Sequence, residues 1–252
     1  MPHPSIVLAS DIDNTLTGDA EALKTLARQL AILRDQNVLS LFLTTGRTLR
    51  EVLDGFEQEH IPQADAIISQ VGTEIYLPPF EANMEPLPAW NKRLHQQFSR
   101  KRAIKFSAGI AGAEIQPEHY NTPLKVSYYL DKSPDPEKAA RQIRQRVADH
   151  GNGYQVVWSS GKDLDILPAA AGKGKAIRFL LRFLELEPKQ VITAGDSGND
   201  RSMLEEFERG IVVANARPEL KNLKEEKAAN LYFANQPYAA GVAEGLRHFG
   251  VL

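Results

Sequence analysis

Short apolar runs alternate in this chain with longer segments that carry leucine at helical spacing. No other feature constrains the fold as much. Ile6-Val7-Leu8-Ala9 reads as a strand buried on both faces. From Asp19 to Asp35, Leu23, Leu26, Leu30 and Leu33 follow the helical period, and the Asp19 carboxylate suits an N-cap. Leu39–Leu43 is the second expected strand, about Thr48 to Glu59 the second helix, and Ala66–Ser69 the third strand. Strands and helices alternating in this way build a parallel sheet with helices on its faces. The pattern returns late in the chain, with a helix over Gly174–Leu186, a strand at Val191–Ala194, a helix over Ser197–Arg209 and a strand at Ile211–Val213.

Between these two stretches the pattern changes. Pro78 to Pro88 contains four prolines and reads as a linker. A helix near Trp90–Arg102, a strand at Lys125–Leu130 and a helix over Pro136–His150 follow. Gly151-Asn152-Gly153 is a loop before strands at Tyr154–Trp158 and Asp163–Leu167. At 252 residues the chain has room for a main domain and a smaller one. The expected fold class is α/β, with a doubly wound, Rossmann-like parallel-sheet core over residues 1–78 and 169–252. An α+β domain is inserted at 79–168.

Ligands of such sheets sit outside the carboxyl ends of the strands. Three polar clusters fall there: Asp11-Ile12-Asp13-Asn14-Thr15, Thr44-Thr45-Gly46-Arg47 and Gly195-Asp196-Ser197-Gly198-Asn199-Asp200. Together they bring Asp11, Asp13 and Asp196 toward one point, where carboxylates repel unless a cation lies between them. The chain has no cysteine, which removes thiolate metal sites and disulfides. The six histidines show no metal-ligand spacing. All-oxygen donors favour Mg²⁺. Thr45, Lys173 and the helix start after Asp11 supply phosphate-binding groups. Lys175 rivals Lys173, and Asp200 rivals Asp196, for the same roles. A net charge of −2 gives no footprint for nucleic acid or an anionic membrane. No apolar run is long enough to span a bilayer, and Met1-Pro2-His3-Pro4 does not open a signal peptide. A cytoplasmic location is expected.

Asp11-Ile12-Asp13-Asn14-Thr15-Leu16, Thr45, Lys173 and Gly195-Asp196-Ser197-Gly198-Asn199-Asp200 resemble, in order, the four motifs of the haloacid dehalogenase superfamily. The inserted domain lies between motifs two and three, where caps of the superfamily's second type occur. Val71-Gly72-Thr73-Glu74-Ile75-Tyr76, Lys125-Val126-Ser127-Tyr128-Tyr129 and Ser159-Ser160-Gly161-Lys162-Asp163-Leu164-Asp165-Ile166-Leu167-Pro168 resemble the sucrose-phosphate phosphatase family, in its short cyanobacterial form.

The resemblance implies that Asp11 is a nucleophile forming an aspartyl-phosphate, already ionised at neutral pH. It implies that Asp13 is the general acid and base, lending its backbone carbonyl to the metal. Thr45, Gly46, Lys173 and Asn199 make up the expected phosphate-binding group, Asn199 more by ordering its loop than by touching substrate. Asp11, Asp13, Asp196 and Asp200 form the expected Mg²⁺ group. Sugar recognition falls to the cap and hinge: Lys125, Tyr128, Lys162, Asp163, Thr73 and Glu74. The implied function is hydrolysis of sucrose 6F-phosphate by a monomer, associated in one version with the synthase that makes the substrate. The alternatives are a phosphatase of another glycosyl phosphate, such as mannosylfructose phosphate, and a non-catalytic partner of the synthase.

Overall fold

The computed structural model describes residues 4–95, 98–224 and 230–252. Met1–His3, read above for a leader, lie outside the described residues. The first half of the core runs β1 (Ile6–Ser10), α1 (Ala20–Asp35), β2 (Leu39–Thr44), α2 (Leu49–Gln58), β3 (Ala66–Ser69) and β4 (Glu74–Tyr76). The intervening stretch holds α3 (Pro88–Leu94), α4 (Arg100–Lys105), β5 (Glu114–Ile115), β6 (Val126–Tyr129), α5 (Pro136–His150), β7 (Tyr154–Ser159) and β8 (Asp163–Pro168). The core then resumes with α6 (Lys173–Phe183), β9 (Val191–Gly195), α7 (Arg201–Glu206), β10 (Arg209–Val212), α8 (Pro218–Lys221), β11 (Asn230–Phe233) and α9 (Tyr238–His248).

The core sheet has the order β11-β10-β9-β1-β2-β3-β4. All its neighbours are parallel except β3 and β4. Successive residues of β1 face opposite sides. Leu8 packs with Leu23, Leu26 and Leu30 of α1 and Val242 and Leu246 of α9. Val7 and Ala9 pack with Ile177, Leu180 and Leu181 of α6. The sheet is therefore covered on both faces, as the unbroken apolar runs require. Strand order runs one way from β1 to β2 and β3, and the other way through β9 to β10. The crevice at this switch point, at the carboxyl ends of β1, β2 and β9, is where the fold places a ligand.

The second sheet is antiparallel, ordered β5-β6-β8-β7. One face is apolar: Val126, Tyr128, Leu164 and Ile166 pack on Ala139, Ile143 and Val147 of α5. The other face carries Lys125, Ser127, Asp163 and Asp165, and it looks toward the crevice.

Three expectations change. The helix expected near Trp90–Arg102 is divided into α3 and α4; residues 96–97 lie outside the described residues. Ser99 gives its N–H to the Tyr154 hydroxyl at 3.2 Å, so a tertiary partner takes a donor that a continuous helix would use. The helix expected over Ser197–Arg209 shrinks to α7, because the N–H groups of Asp196 and Ser197 turn onto the Asp200 carboxylate. The core also gains β4, an antiparallel edge strand in a segment the parallel-sheet reading left unassigned.

Candidate active site

Each motif loop leaves a strand at the switch point. The Asp11 N–H continues the ladder to the Ala194 carbonyl at 2.9 Å, which holds the first loop against the end of β9. Thr45 donates its N–H to the Ile68 carbonyl at 2.8 Å, and Val71 returns one to the Thr45 carbonyl at 2.9 Å. The Thr45 hydroxyl accepts the Arg47 N–H at 3.1 Å, while Thr48, not Thr45, caps α2 in a capping box with Glu51. Thr45 is therefore free of the helix-capping role that its residue type also allows.

Lys173, at the first turn of α6, is fully buried and reaches three oxygens. It lies 2.6 Å from Asp11 Oδ1, 2.6 Å from Asp200 Oδ1 and 3.1 Å from Asn199 Oδ1. Its rival Lys175 instead points outward and donates to the Ala169 carbonyl. Asp200 uses both oxygens within the protein, since Oδ2 accepts the N–H groups of Asp196 and Ser197 at 3.0 and 3.1 Å. Among the described residues, Asp196 accepts one long 3.4 Å bond, from Thr15 at Oδ1. Asp200 thus organises the loop and the lysine, and Asp196 keeps its acceptor capacity.

Oxygens of Asp11, Asp196 and Asp200 lie within 4.8 Å of one another, all buried. One ammonium cannot neutralise three carboxylates. Burial, and then the Asp200 charge, push Asp196 up to about 7. Burial and the same charge raise Asp11 well above the carboxylate range, against the pull of Lys173. Lys173 itself is held above its ordinary value, because Asp11 and Asp200 outweigh the cost of burying its charge. Asp11 was expected to be ionised at neutral pH; three buried carboxylates against the one Lys173 ammonium leave a surplus of negative charge that a further cation would offset. The all-oxygen donor set fits Mg²⁺, with Asp11 and Asp196 as the residues that would hold it.

The Asp13 side chain departs from this group. It is half exposed and turns to Arg47, whose Nη2 lies 2.7 Å from its Oδ1. Only its backbone carbonyl is left to serve a metal in the way the resemblance implies.

The cleft above these groups has a volume of about 360 Å³. Asp11, Asp13, Gly46, Arg47, Asp196 and Asn199 line it from the core, and Lys125, Lys162 and Asp163 line it from the cap. Lys125 is 2% exposed, 3.7 Å from Asp165, and faces the Tyr120 ring. The Ser127 hydroxyl bonds the same Asp165 oxygen at 2.5 Å. Cap and core touch beside the cleft, where the Tyr120 hydroxyl donates to Glu51 at 2.8 Å and the Gln70 side chain to the His119 carbonyl at 3.1 Å. Ser160 N–H meets Glu219 at 3.2 Å, and a Cβ at Gly198 would strike the Trp158 carbonyl, so that loop can approach the cap only as glycine.

Three expected recognition residues lie elsewhere. Tyr128 is 3% exposed within the apolar face of the cap sheet, and its hydroxyl points to the Ile104 carbonyl. Lys125 immediately precedes β6 and has the opposite parity to Tyr128, so along that extended run the two do not share a face. Thr73 is buried and bonds the Gln70 carbonyl at 2.9 Å. Glu74 is engaged by Ser69 and Tyr76 at the sheet edge, away from the cleft lining. Tyr129, Gln116, Tyr120, Asp165, Arg47 and Arg217 line the cleft without having been expected there. Strand parity could have selected Tyr129 and Asp165. Gln116 and Tyr120 lie in an irregular segment with no periodic signal.

The family model for sucrose-6F-phosphate phosphohydrolase matches residues 4–250. The mannosylfructose-phosphate phosphatase of Agrobacterium fabrum is 34% identical, over 98% of both chains. The sucrose-phosphatase of Synechocystis sp. PCC6803, solved in complex with sucrose and phosphate, superposes with a TM-score of 0.91 at 31% identity, covering 98% of each chain. Sucrose-phosphatase 1 of Nicotiana tabacum is 30% identical over 98% of this chain and 59% of its own length.

Proposed function

The chain belongs to the sucrose-6F-phosphate phosphohydrolase family, whose members are sugar-phosphate phosphatases with the haloacid dehalogenase fold, and from that premise we propose that it hydrolyses sucrose 6F-phosphate to sucrose and phosphate. One observation carries the reading. A buried lysine bridges Asp11 and Asp200 below a cleft whose cap side carries hydrogen-bonding side chains, an arrangement that supports a phosphate site beneath a sugar site.

The division of labour follows the proposed domains, with 1–78 and 169–252 as the core and 79–168 as the cap. An Asp11 oxygen attacks phosphorus, and the phosphorus–sugar oxygen bond breaks. The electron pair goes to the sugar oxygen, which takes a proton from the Asp13 carboxyl; for so poor a leaving group that is worth about 10²–10⁴ in rate. Water then attacks phosphorus, Asp13 takes its proton, and the Asp11 carboxylate leaves, releasing phosphate. Lys173, the Thr45 hydroxyl and the Gly46 backbone stabilise the charge on the non-bridging oxygens. Asn199 and Asp200 hold the lysine in place. Mg²⁺ held by Asp11, Asp196 and the Asp13 carbonyl would supply electrostatic relief between the nucleophile and the phosphate dianion. Lys125, Lys162 and Asp163 meet the sugar hydroxyls.

Among the described residues no helix is long and apolar enough to cross a membrane. The proposal extends to a cytoplasmic monomer working alone or beside the synthase that makes its substrate. The test is phosphate release, with Mg²⁺, from sucrose 6F-phosphate, mannosylfructose phosphate, glucose 6-phosphate, fructose 6-phosphate and mannose 1-phosphate. The highest kcat/KM is expected on sucrose 6F-phosphate. The 34% identity to the Agrobacterium enzyme favours mannosylfructose phosphate as the second reading, and first rank for that compound would replace the proposal with it.

A further inference from the structure

Arg47 follows the second motif, lines the cleft, and performs none of the steps above. Its backbone is pinned on both sides, its N–H by the Thr45 hydroxyl at 3.1 Å and its carbonyl by the Gln70 N–H at 3.1 Å. Its guanidinium lies between two carboxylates. Nε and Nη2 reach Asp13 at 2.7 to 3.2 Å, and Nη1 and Nη2 reach Glu59 at 2.5 and 3.0 Å. Both contacts are forks, which fix direction as well as distance. The side chain of Arg47 is 16% exposed, against 51% for Asp13. A Cβ on Gly55 would meet Ile61 Cδ1 first, at 2.6 Å, and then Arg47 Nη1 at 3.2 Å and Glu59 at 3.3 Å, so both Ile61 and this pair pack close against α2 there. Glu59 is the C-cap residue of α2, outside the cleft lining, and it reaches the chemistry only through Arg47.

We propose that Arg47, itself oriented by Glu59, is the positioning residue for Asp13, restricting that half-exposed side chain to the orientation in which it serves the leaving sugar oxygen. The inference rests on Asp13 acting as the acid of the proposed reaction. Its consequence depends on the leaving group. A sugar oxygen departs only with a proton in place, whereas p-nitrophenolate departs unaided. Misplacing Asp13 therefore costs the first substrate much more than the second.

The experiment measures kcat/KM on sucrose 6F-phosphate and on p-nitrophenyl phosphate with Mg²⁺. It compares the wild type with Arg47→Lys, Glu59→Gln, Asp13→Asn and the Arg47→Lys/Asp13→Asn double variant. This constant reports only steps up to release of the alcohol, so the later attack of water on the aspartyl-phosphate does not enter. Lysine keeps the charge and loses the fork. Glu59→Gln changes only the outer partner, and thermal unfolding of each variant confirms that it is folded. The sugar-to-aryl ratio is expected to fall most in Asp13→Asn, by about tenfold in Arg47→Lys, and less in Glu59→Gln. The double variant should show the ratio of Asp13→Asn alone. A ratio unchanged in both Arg47→Lys and Glu59→Gln, or an equal loss on the two substrates, overturns the positioning role while the Asp13 reading stands. A ratio unchanged in Asp13→Asn removes Asp13 as the acid, and the role of Arg47 falls with it.

Discussion

The floor and the roof of the cleft are built differently. On the floor, Lys173 and Asp200 are completely buried and Asp11 nearly so, and each is tied to another motif loop. On the roof, Lys162 is exposed and Asp163 partly so, while Lys125 and Asp165 are buried as a pair on one face of an antiparallel sheet. The floor is cross-tied, since the loop after β1 is bonded to the end of β9 through Asp11 and Ala194 and to the loop after β2 through Asp13 and Arg47. The roof is a strand surface, and its side chains are set by alternation. A floor of this kind suits the phosphoryl group that every phosphate monoester shares, and a roof of this kind suits the part that differs between them.

The comparison breaks first at its strongest point. Asp11→Asn keeps the shape and removes the charge of the proposed nucleophile, so turnover of both sucrose 6F-phosphate and an aryl phosphate should fall by at least about 10³-fold. Retention of a tenth of the activity would take the nucleophile's role from Asp11. Chelation comes next. Exhaustive EDTA treatment should remove turnover of both substrates and Mg²⁺ should restore it, whereas Ca²⁺, with looser and higher coordination, should bind without restoring it. Full activity in the chelated protein would mean that the buried carboxylate surplus is balanced some other way.

A paired substitution sharpens the contrast between floor and roof. Lys173→Ala should damage both substrates alike. Lys162→Ala should raise KM for the sugar phosphate, costing about 1–3 kcal/mol of binding for a lost charge-assisted hydrogen bond, with much less effect on the aryl phosphate. Equal slowing of the two substrates by Lys162→Ala would dissolve the distinction. The smallest effect tests strand parity. Tyr129→Phe should raise KM for the sugar phosphate, because Tyr129 lines the cleft and the substitution removes the hydroxyl that can hydrogen-bond a sugar. Tyr128→Phe should leave KM in place and shift only stability, by about 1 kcal/mol or less, since its 3.4 Å bond to Ile104 is long. A change in KM from Tyr128→Phe would mean that the cap sheet presents its other face during turnover.

Legibility in the sequence followed the range over which each signal acts. The strands β1, β2 and β3, the helix α1 with its Asp19 cap, and the helix α5 over Pro136–His150 stand where their periodicity puts them. Each is a local pattern of burial that a single segment carries complete. The helices expected over Trp90–Arg102 and Ser197–Arg209 were shortened by partners distant in space or folded back on the loop, namely the Tyr154 hydroxyl and the Asp200 carboxylate. The edge strand β4 is three residues long, too short for any period to register. Among the cleft residues, Asp11, Asp196 and Lys173 were legible because each sits in a compact motif at a strand end or helix start.

The sequence by itself determined the alternation of strands and helices, the chemical identity of the floor and the oxygen-only donor set, because burial period and residue type are written along the chain. Only the tertiary structure decided that Asp13 turns to Arg47, that Glu59 braces that arginine, that Asp200 uses both oxygens on Lys173 and the loop, and that Tyr128 faces the cap core. These contacts join segments brought together by sheet order and strand parity. A hydrogen bond depends on direction and on distances of a few ångströms, and for residues far apart in sequence neither exists until the sheets have packed.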